Sequence, residues 1–323
     1  MQEIFRSETD PYFNIAAEEY LIRHSVNEIC MVWVNKPAVV CGKHQNVFAE
    51  VNHKFTWSNN IPVIRRISGG GTVYHDEGNL NYTLILNGKQ QNLVDYEEYT
   101  KPVLLALKKI GIKAKLHGKS DLVIGDRKFS GNSMHVFKNR VIHHGTLLFS
   151  SNIDNLRQAL LTDESAYQSK AVRSNRSHVT NISEHLKQNM TFSEFREFFT
   201  KFLKDFFNAS TGKELTDTEK AIIKKLTTEK YNKWEWNYAY SPAFRKKISG
   251  FPQKINTVLT FGVSKGVIES IETESMEHVP DWLNELVYIL KNKRFHPDDI
   301  REALISCNFA NTIDPDRLIE KLF

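Results

Sequence analysis

The chain contains 323 residues, of which 41% are hydrophobic and 25% charged, and its formal net charge is +5. This length and composition indicate a globular protein of about two domains, with basic residues too evenly spread to favour a nucleic-acid-binding protein. Three cysteines without a CxxC pair argue against a disulfide framework. Neither an apolar run long enough for a membrane span nor a targeting segment is recognised. We therefore expect a cytoplasmic protein.

The N-terminal part of the chain combines a helix with short strands. Asp10-Pro11 predicts the beginning of a helix, because proline is favoured at the first helical position, and apolar residues at helical spacing continue to Leu21. Apolar runs bounded by turn-forming residues predict strands at residues 31–34, 38–41, 61–64 and 82–86.

The middle of the chain continues this mixture. An apolar stripe over residues 103–110 predicts a helix that ends at Gly111. Thr191-x-x-Glu194 forms a capping box for another helix, whose phenylalanines we assign to the core. Because helices and strands alternate irregularly, we predict an α+β fold with a mixed sheet. Further strands are predicted at residues 113–116, 121–124, 127–129 and 141–149, with a hairpin at Gly125-Asp126.

The character of the chain changes beyond Ser241-Pro242. Trp234 and Trp236, just before this point, are assigned to packing against the sheet. We predict a large domain over residues 1–246 and a small α+β domain over residues 247–323. In the small domain, a few strands are predicted up to Ile271, in a stretch that includes Gly250 and Pro252, followed by helices at residues 280–290 and 297–304.

The segment Arg-Arg-Ile-Ser-Gly-Gly-Gly-Thr-Val-Tyr at residues 65–74 is the most informative motif. Three consecutive glycines leave the backbone amides bare, so another molecule can lie directly against the main chain. Arg65 and Arg66 supply donors that match carboxylate or phosphate oxygens. A basic turn of this kind between strands is suited to holding an anion. A flexible surface turn is the alternative for the glycines alone.

Three further groups of residues are candidates for chemistry. Lys128 lies on a predicted strand and is followed by small residues; it is either a solvated hairpin charge or an ammonium placed where negative charge develops. His143 and His144 are adjacent on a strand and face opposite sides, so they, even with His75, make a poor zinc site, and a hydrogen-bonding or substrate-packing role is favoured. Residues 167–182 are polar and basic, which indicates an exposed loop or a mobile lid that carries Lys170, Arg173 and Arg176.

Several signatures of other enzyme classes are missing from the sequence. It contains no P-loop, no GxGxxG dinucleotide fingerprint and no GxSxG nucleophile elbow. No cysteine occurs between Cys41 and Cys307, so no thiol nucleophile lies near the motifs described above.

Taken in order, these motifs resemble the signatures of lipoate–protein ligases. The resemblance covers the whole chain, including the small C-terminal domain, and it implies the biotin/lipoyl ligase fold. It rests on the glycine motif extended through His75-Asp76 and Gly78-Asn79, on Asp121-Leu-Val, Lys128-Phe-Ser-Gly, His143-His-Gly-Thr-Leu-Leu, Val172-Arg-Ser, Val179-Thr-Asn, Trp234-Glu-Trp-Asn and Pro242-Ala-Phe.

The resemblance implies a reaction in two halves. ATP and lipoate form lipoyl-AMP and pyrophosphate, with Mg²⁺ on the phosphates. The lipoyl group then passes to a lysine of a lipoyl domain of a 2-oxoacid dehydrogenase complex, or of the glycine-cleavage H protein. A monomer that binds neither nucleic acid nor membrane is expected.

The resemblance also implies roles for individual residues. Lys128 is the expected catalytic residue and contacts both substrates. Residues near 162–180 form the adenylate loop, with Arg173 and Arg176. The expected ATP-binding residues are Arg66, Gly71, Thr72, Val73 and Tyr74; the expected lipoate-binding residues are Ser68, Gly69, Gly70 and His144; His75 and Asp121 are further candidates.

Three alternatives remain open at this point. A lipoyl or octanoyl transferase could use a preformed acyl donor without consuming ATP. A biotin–protein ligase shares the fold but has a different glycine–arginine loop. A nonenzymatic nucleic-acid binder could use the basic loop. Thr72 stands where alanine is common in the family, and its hydroxyl either donates to phosphate or is merely tolerated.

Overall fold

A computed structural model describes residues 1–88, 93–251, 258–274, 281–307 and 313–323. These residues form two compact units. The first unit comprises Met1–Lys43, Ile61–Arg157 and Ser174–Asn232, and the second comprises His44–Asn60, Gln158–Arg173 and Lys233–Phe323. The second unit thus includes three segments of the predicted large domain, residues 44–60, 158–173 and 233–246, so the functional division at residue 246 stays a prediction.

Both helices and strands are abundant in the described part of the chain. The strands are β1 (Gln2–Phe5), β2 (Ile29–Trp33), β3 (Ala38–Cys41), β4 (Val63–Arg65), β5 (Val73–His75), β6 (Asn79–Asn87), β7 (Ala114–His117), β8 (Asp121–Ile124), β9 (Arg127–Phe137), β10 (Arg140–Leu148), β11 (Tyr167–Ser169), β12 (Ser210–Lys213), β13 (Phe244–Ser249), β14 (Val258–Ser264) and β15 (Val267–Glu274). The α-helices are α1 (Pro11–His24), α2 (Val47–Glu50), α3 (His53–Ser58), α4 (Tyr96–Lys109), α5 (Ile153–Ala159), α6 (Phe192–Phe206), α7 (Asp217–Leu226), α8 (Asp281–Leu290), α9 (Pro297–Ser306) and α10 (Pro315–Leu322).

The first unit is built on an eight-stranded sheet in the order β12-β1-β2-β6-β10-β9-β8-β7. Strand β1 pairs in parallel with β2 and β12, whereas the pairs from β2 to β7 are antiparallel. A small sheet, β4-β3-β5, lies in the same unit and carries the glycine motif between β4 and β5. The mixed sheet with its helices confirms the predicted α+β class.

Aromatic and aliphatic side chains from α4, α6 and the large sheet form the core of the first unit. The capping box of Thr191 and Glu194 begins α6, as predicted. Phe195 and Phe199 are fully buried and stack with their ring centroids 6.0 Å apart. The phenylalanine stripe is therefore core packing, although Phe206 at its end is 39% exposed.

Strand β9 is much longer than the predicted strand at residues 127–129. It continues through Ser130, Asn132 and Ser133, which are all buried. The strand was not predicted over these residues because sequence patterns assign polar residues to solvent. Asn132 and Ser133 are instead buried with hydrogen-bond partners inside the protein. The hairpin at Gly125-Asp126 is confirmed, and Gly125 adopts a positive φ of 63°.

The second unit contains the antiparallel sheet β11-β13-β14-β15. Strand β11 lies within residues 167–182, for which no regular structure was predicted. The packing expected of Trp234 is observed, since a Cβ added at Gly266 would lie 2.3 Å from its ring. Within the predicted elements, residues 252–257 of the strand region and Pro280 of the first helix lie outside the described residues. Within the described ranges, no helix is both long and apolar enough to cross a bilayer.

Acid is expected to destabilise the second unit through His53. This side chain is fully buried, its ring centroid lies 5.6 Å from that of Phe48 and 4.9 Å from that of Trp57, and burial lowers its pKa from 6.5 to about 3. Below pH 6.5 the unfolded chain therefore binds a proton at His53 that the folded state does not bind. The free energy of unfolding then falls by about 1.4 kcal/mol for each pH unit until the folded pKa is reached.

The His53→Phe variant isolates this effect. Its stability should fall by about 1 kcal/mol less than that of the wild type when urea unfolding is compared at pH 7.5 and pH 5.5. Identical pH dependence of the two proteins would show that His53 does not contribute.

Candidate active site

The glycine motif folds into a turn that is held by Arg66. This side chain is 5% exposed, and its Nη2 donates to the carbonyl oxygens of Gly69 and Gly71 at 2.5 and 2.8 Å. Its Nη1 donates to the carbonyl of Val40 at 3.0 Å and its Nε to the hydroxyl of Ser68 at 2.9 Å. Burial lowers the pKa of Arg66 to about 10. The predicted nucleotide-binding arginine therefore serves, in this structure, as the clasp of the turn.

The three glycines have different surroundings. A Cβ added at Gly69 would meet nothing within 4 Å, whereas Gly70 has a φ of +83° that favours glycine. A Cβ at Gly71 would lie 3.0 Å from the Ser174 hydroxyl, which also accepts from the Thr72 amide at 2.9 Å. Within the described residues, the amides of the three glycines donate to no protein group. Bare donors at an open turn are the arrangement that binds an anion.

Lys128 approaches the same turn from strand β9. Its Nζ lies 2.9 Å from Asp121 Oδ1, and the two side chains are 23% and 22% exposed. A Cβ at Gly131 would lie 3.4 Å from Lys128 Nζ and 4.0 Å from Val73 Cγ1, so the ammonium and β5 both lie close to this glycine. The structure thus brings the predicted catalytic lysine, Asp121 and the predicted nucleotide-binding strand together.

Strand β9 is also bonded directly to the turn. The Ser133 hydroxyl donates to the carbonyl of Gly69 at 2.8 Å. At the other end of the strand, the Lys128 amide donates to the carbonyl of His178 at 2.8 Å, and the Thr180 amide donates to the carbonyl of Lys128 at 3.0 Å. The main chain of Lys128 therefore anchors residues 178–180.

His143 and His144 face opposite sides of β10, as predicted. His143 is fully buried, with its Nε2 2.9 Å from the Tyr82 hydroxyl. His144 Nε2 lies 2.7 Å from Ser68 Oγ, and its Nδ1 donates to the Glu18 carboxyl group at 2.9 and 3.0 Å. Two of the predicted lipoate-binding side chains, Ser68 and His144, are thus fixed in one hydrogen-bonded network with the Arg66 clasp.

Glu18 is a site residue that sequence reasoning missed. It is 1% exposed on α1, and it also accepts from Thr83 Oγ1 at 2.6 Å, which in turn accepts from Trp33 Nε1 at 2.9 Å. The available signal was a carboxyl group in the middle of a helix that is buried over most of its length. A buried carboxyl group requires hydrogen-bond partners, so its position indicates a polar network.

Ser68, His144 and Glu18 follow the hydroxyl–imidazole–carboxyl order of hydrolase triads. The surroundings of the hydroxyl differ from those of a nucleophile. Ser68 is fully buried, and its oxygen accepts an N–H from the Arg66 guanidinium, which occupies a lone pair that a nucleophile needs. The arrangement is suited to fixing the turn against β10.

The remaining predicted residues have distinct environments. Tyr74 is 2% exposed, and burial raises the pKa of its phenol. His75 is 3% exposed, and burial together with the charge of Arg66 lowers its pKa to about 3. Arg173 and Arg176 are both exposed; Arg173 belongs to the second unit, where it lies 4.0 Å from Glu164, and Arg176 belongs to the first. Their adenylate-loop role stays a prediction.

Comparison with known proteins identifies the family of this chain. Residues 10–204 match the family of the lipoyl protein ligase A/B catalytic domain. Lipoate-protein ligase LplJ of Bacillus subtilis is 36% identical over 309 residues, which cover 94% of this chain and 92% of the relative.

Solved structures share the fold. P. falciparum LipL1 in complex with lipoate has a TM-score of 0.63 at 23% identity, covering 96% of this chain and 97% of its own. A lipoate-protein ligase A bound with ATP has a TM-score of 0.62 at 21% identity, covering 74% of this chain and 99% of its own. The predicted fold and enzyme class are confirmed, and the chain belongs to the lipoyl protein ligase A/B family.

Proposed function

We propose that this protein uses ATP to convert lipoate into lipoyl-AMP and pyrophosphate, and then transfers the lipoyl group to a lysine of a carrier domain. The observation that carries this proposal is the approach of Lys128 to Val73, which follows the bare glycine turn, beside Gly131. Family membership and the names of the relatives support the choice of lipoate and ATP as substrates.

The first half-reaction joins two anions. A carboxylate oxygen of lipoate attacks the α-phosphorus of ATP, the bond to the bridging oxygen breaks, and pyrophosphate leaves. The Lys128 ammonium and the amides of Gly69–Gly71 are the groups available to offset the charge that accumulates. Arg66 contributes chiefly by holding the turn in shape, because four of its N–H groups are engaged with Val40, Ser68, Gly69 and Gly71.

The second half-reaction needs no nucleophile from this chain. The amine of the carrier lysine attacks the acyl carbon of the mixed anhydride, loses a proton, and releases AMP. The absence of a cysteine between Cys41 and Cys307 is compatible with this route.

Mg²⁺ is proposed to accompany the nucleotide. Magnesium ions in such sites are held by one or two carboxylates together with phosphate oxygens and water. Asp121 fits this role, since its carboxyl group is partly exposed and lies beside the Lys128 ammonium. When bound, the ion would neutralise charge on the phosphates.

Several broader assignments remain part of the proposal. The expected carriers are lipoyl domains of 2-oxoacid dehydrogenase complexes and the glycine-cleavage H protein. We propose a cytoplasmic monomer in which residues 1–246 perform catalysis, residues 247–323 form an accessory domain, and residues 162–180 act as the adenylate loop.

The function is tested by incubating the protein with ATP, Mg²⁺, lipoate and an apo lipoyl domain. We expect the mass of the carrier to increase by one lipoyl group, with release of pyrophosphate that depends on lipoate. Transfer from synthetic lipoyl-AMP without any ATP-dependent pyrophosphate release would instead identify a transferase. No reaction with either donor would overturn the proposal.

The Gly69→Ala variant tests whether substrate lies against the turn. The added methyl meets no protein atom within 4 Å, so the melting temperature should be unchanged. The methyl would occupy the space above the amides, and we expect at least a tenfold loss of kcat/KM for adenylation, which corresponds to about 1.4 kcal/mol.

Gly125→Ala provides the matched control. It also meets no atom within 4 Å, but its φ of +63° makes alanine strained. This variant should lose about 1 kcal/mol of stability and retain activity. A Gly69→Ala protein with normal kinetics would place the substrates away from the turn.

A further inference from the structure

A chain of four buried polar side chains crosses the first unit and ends at His75. Arg6 follows β1, Asn14 lies on α1, Asn35 lies between β2 and β3, and His75 ends β5. Their exposed fractions are 1%, 0%, 0% and 3%, respectively. Burying these polar groups is costly unless each is hydrogen-bonded, so the order of their bonds is informative.

The direction of the chain is set by Arg6. A guanidinium can only donate, so the side-chain atom of Asn14 that it contacts must be Oδ1. Asn14 Nδ2, which cannot accept, then lies 2.8 Å from Asn35, and the Asn35 atom at that position must be Oδ1. The remaining amide group of Asn35, Nδ2, lies 3.0 Å from His75 Nδ1 and must donate to it.

This sequence of bonds determines the tautomer of His75. Because Nδ1 accepts a hydrogen bond from Asn35, it carries no proton. Burial and the neighbouring charge of Arg66 lower the pKa of His75 to about 3, so the ring is neutral at neutral pH. The single ring proton therefore resides on Nε2.

Nε2 of His75 is a buried donor that has no hydrogen-bond partner among the described residues. Leaving a buried donor unsatisfied costs about 1–3 kcal/mol. Side chains two residues apart in a strand share a face, so His75 lies on the same face of β5 as Val73. A Cβ at Gly131 would lie 4.0 Å from Val73 Cγ1 and 3.4 Å from Lys128 Nζ, which places this face of β5 at the site described above.

We propose that Arg6, Asn14 and Asn35 hold His75 as the Nε2–H tautomer, and that this N–H donates to an anionic oxygen of the bound substrate. The inference rests on the proposed function for the identity of the substrate. The oxygen belongs either to the lipoate carboxylate or to a phosphate of the nucleotide. His75 contacts the substrate, whereas Asn35 is a positioning residue that acts through it.

The first test reads the tautomer directly and does not require activity. ¹⁵N NMR of the ligand-free protein, with His75 assigned by comparison with His75→Gln, should show a protonated Nε2 and an unprotonated Nδ1. A proton on Nδ1 would overturn the proposal. If this tautomer is seen in a protein that forms no lipoyl-AMP, the proposed function fails while the hydrogen-bond chain stands.

The second test identifies the oxygen. Lipoate, ATP and a non-hydrolysable lipoyl-adenylate analogue are titrated separately into the labelled protein. A shift of the His75 Nε2–H resonance with lipoate alone assigns the carboxylate, and a shift with ATP alone assigns a phosphate. A resonance that does not move with any of the three overturns the substrate contact.

Matched variants separate donation from packing. His75→Leu should reduce adenylation by about 10²-fold, because it removes a donor to developing charge, whereas His75→Gln places an N–H near Nε2 and should lose less than tenfold. Equal losses in the two variants would contradict a donor role.

Asn35→Asp tests the positioning. A carboxylate oxygen beside His75 Nδ1 requires a proton there, so the ring proton should move from Nε2 to Nδ1, as NMR would show. Adenylation should then fall about as far as in His75→Leu, and the melting temperature should fall as well, because Asn35 is fully buried and a buried carboxylate is costly. Normal adenylation with the proton on Nδ1 would overturn the proposal.

Discussion

Replacement of Lys128 with alanine is expected to slow lipoyl-AMP formation by about 10²- to 10³-fold, because it removes the cation beside the glycine turn that offsets the repulsion between carboxylate and phosphate. The protein should remain folded. The ion pair of Lys128 with Asp121 is partly exposed on both sides, and pairs of this kind contribute about 0–1 kcal/mol. Lipoate-dependent pyrophosphate release and the melting temperature would be measured together.

Lys115→Ala is the matched control for this experiment. Lys115 is an exposed lysine on β7, two strands away from β9 in the same sheet, so its removal changes the net charge equally without touching the site. We expect normal adenylation in this variant. Near-normal pyrophosphate release by the Lys128→Ala protein would remove Lys128 from the mechanism.

Replacement of Arg66 with alanine is expected to affect both stability and activity. It leaves the carbonyls of Val40, Gly69 and Gly71 and the hydroxyl of Ser68 without their donor. We expect a loss of roughly 2–4 kcal/mol in the free energy of unfolding, since each buried acceptor left unsatisfied costs about 1–3 kcal/mol and water can enter to satisfy some of them. Adenylation should fall with the shape of the turn.

The Arg66→Lys variant distinguishes shape from charge. Lysine keeps the positive charge but cannot reach four acceptors in a planar fork. Urea unfolding and lipoyl-AMP formation should both resemble those of the alanine variant if the clasp is what matters. Full activity with lysine would mean that the charge of Arg66, and not its geometry, supports the reaction.

Much of the site was accessible from local sequence patterns. The glycine turn between two strands, the strand position of Lys128 and the opposite orientations of His143 and His144 were all predicted, because each depends only on neighbouring residues. The chemistry of the substrates came from the resemblance to lipoate–protein ligases, since no spacing rule identifies a lipoyl group.

The parts that sequence reasoning missed depend on partners distant in the chain. Glu18 and His144 are 126 residues apart, and nothing near Glu18 in the sequence indicates that they meet. Asn14 and Asn35 were likewise assigned no role, because a buried amide cannot be told from an exposed one without its partners. The interior course of β9 was missed for the same reason.

The main-chain bonds between Lys128 and residues 178–180 limit how this protein can vary in length. Residues 175–177 lie between this anchor and Ser174, whose hydroxyl is bonded to Thr72. Residues 175–177 are exposed and have no regular structure, so we expect an insertion or deletion to be tolerated best there. An insertion or deletion within residues 178–180 would instead shift the pairing register beside Lys128 by one residue. The side chains that follow would then point to the opposite face.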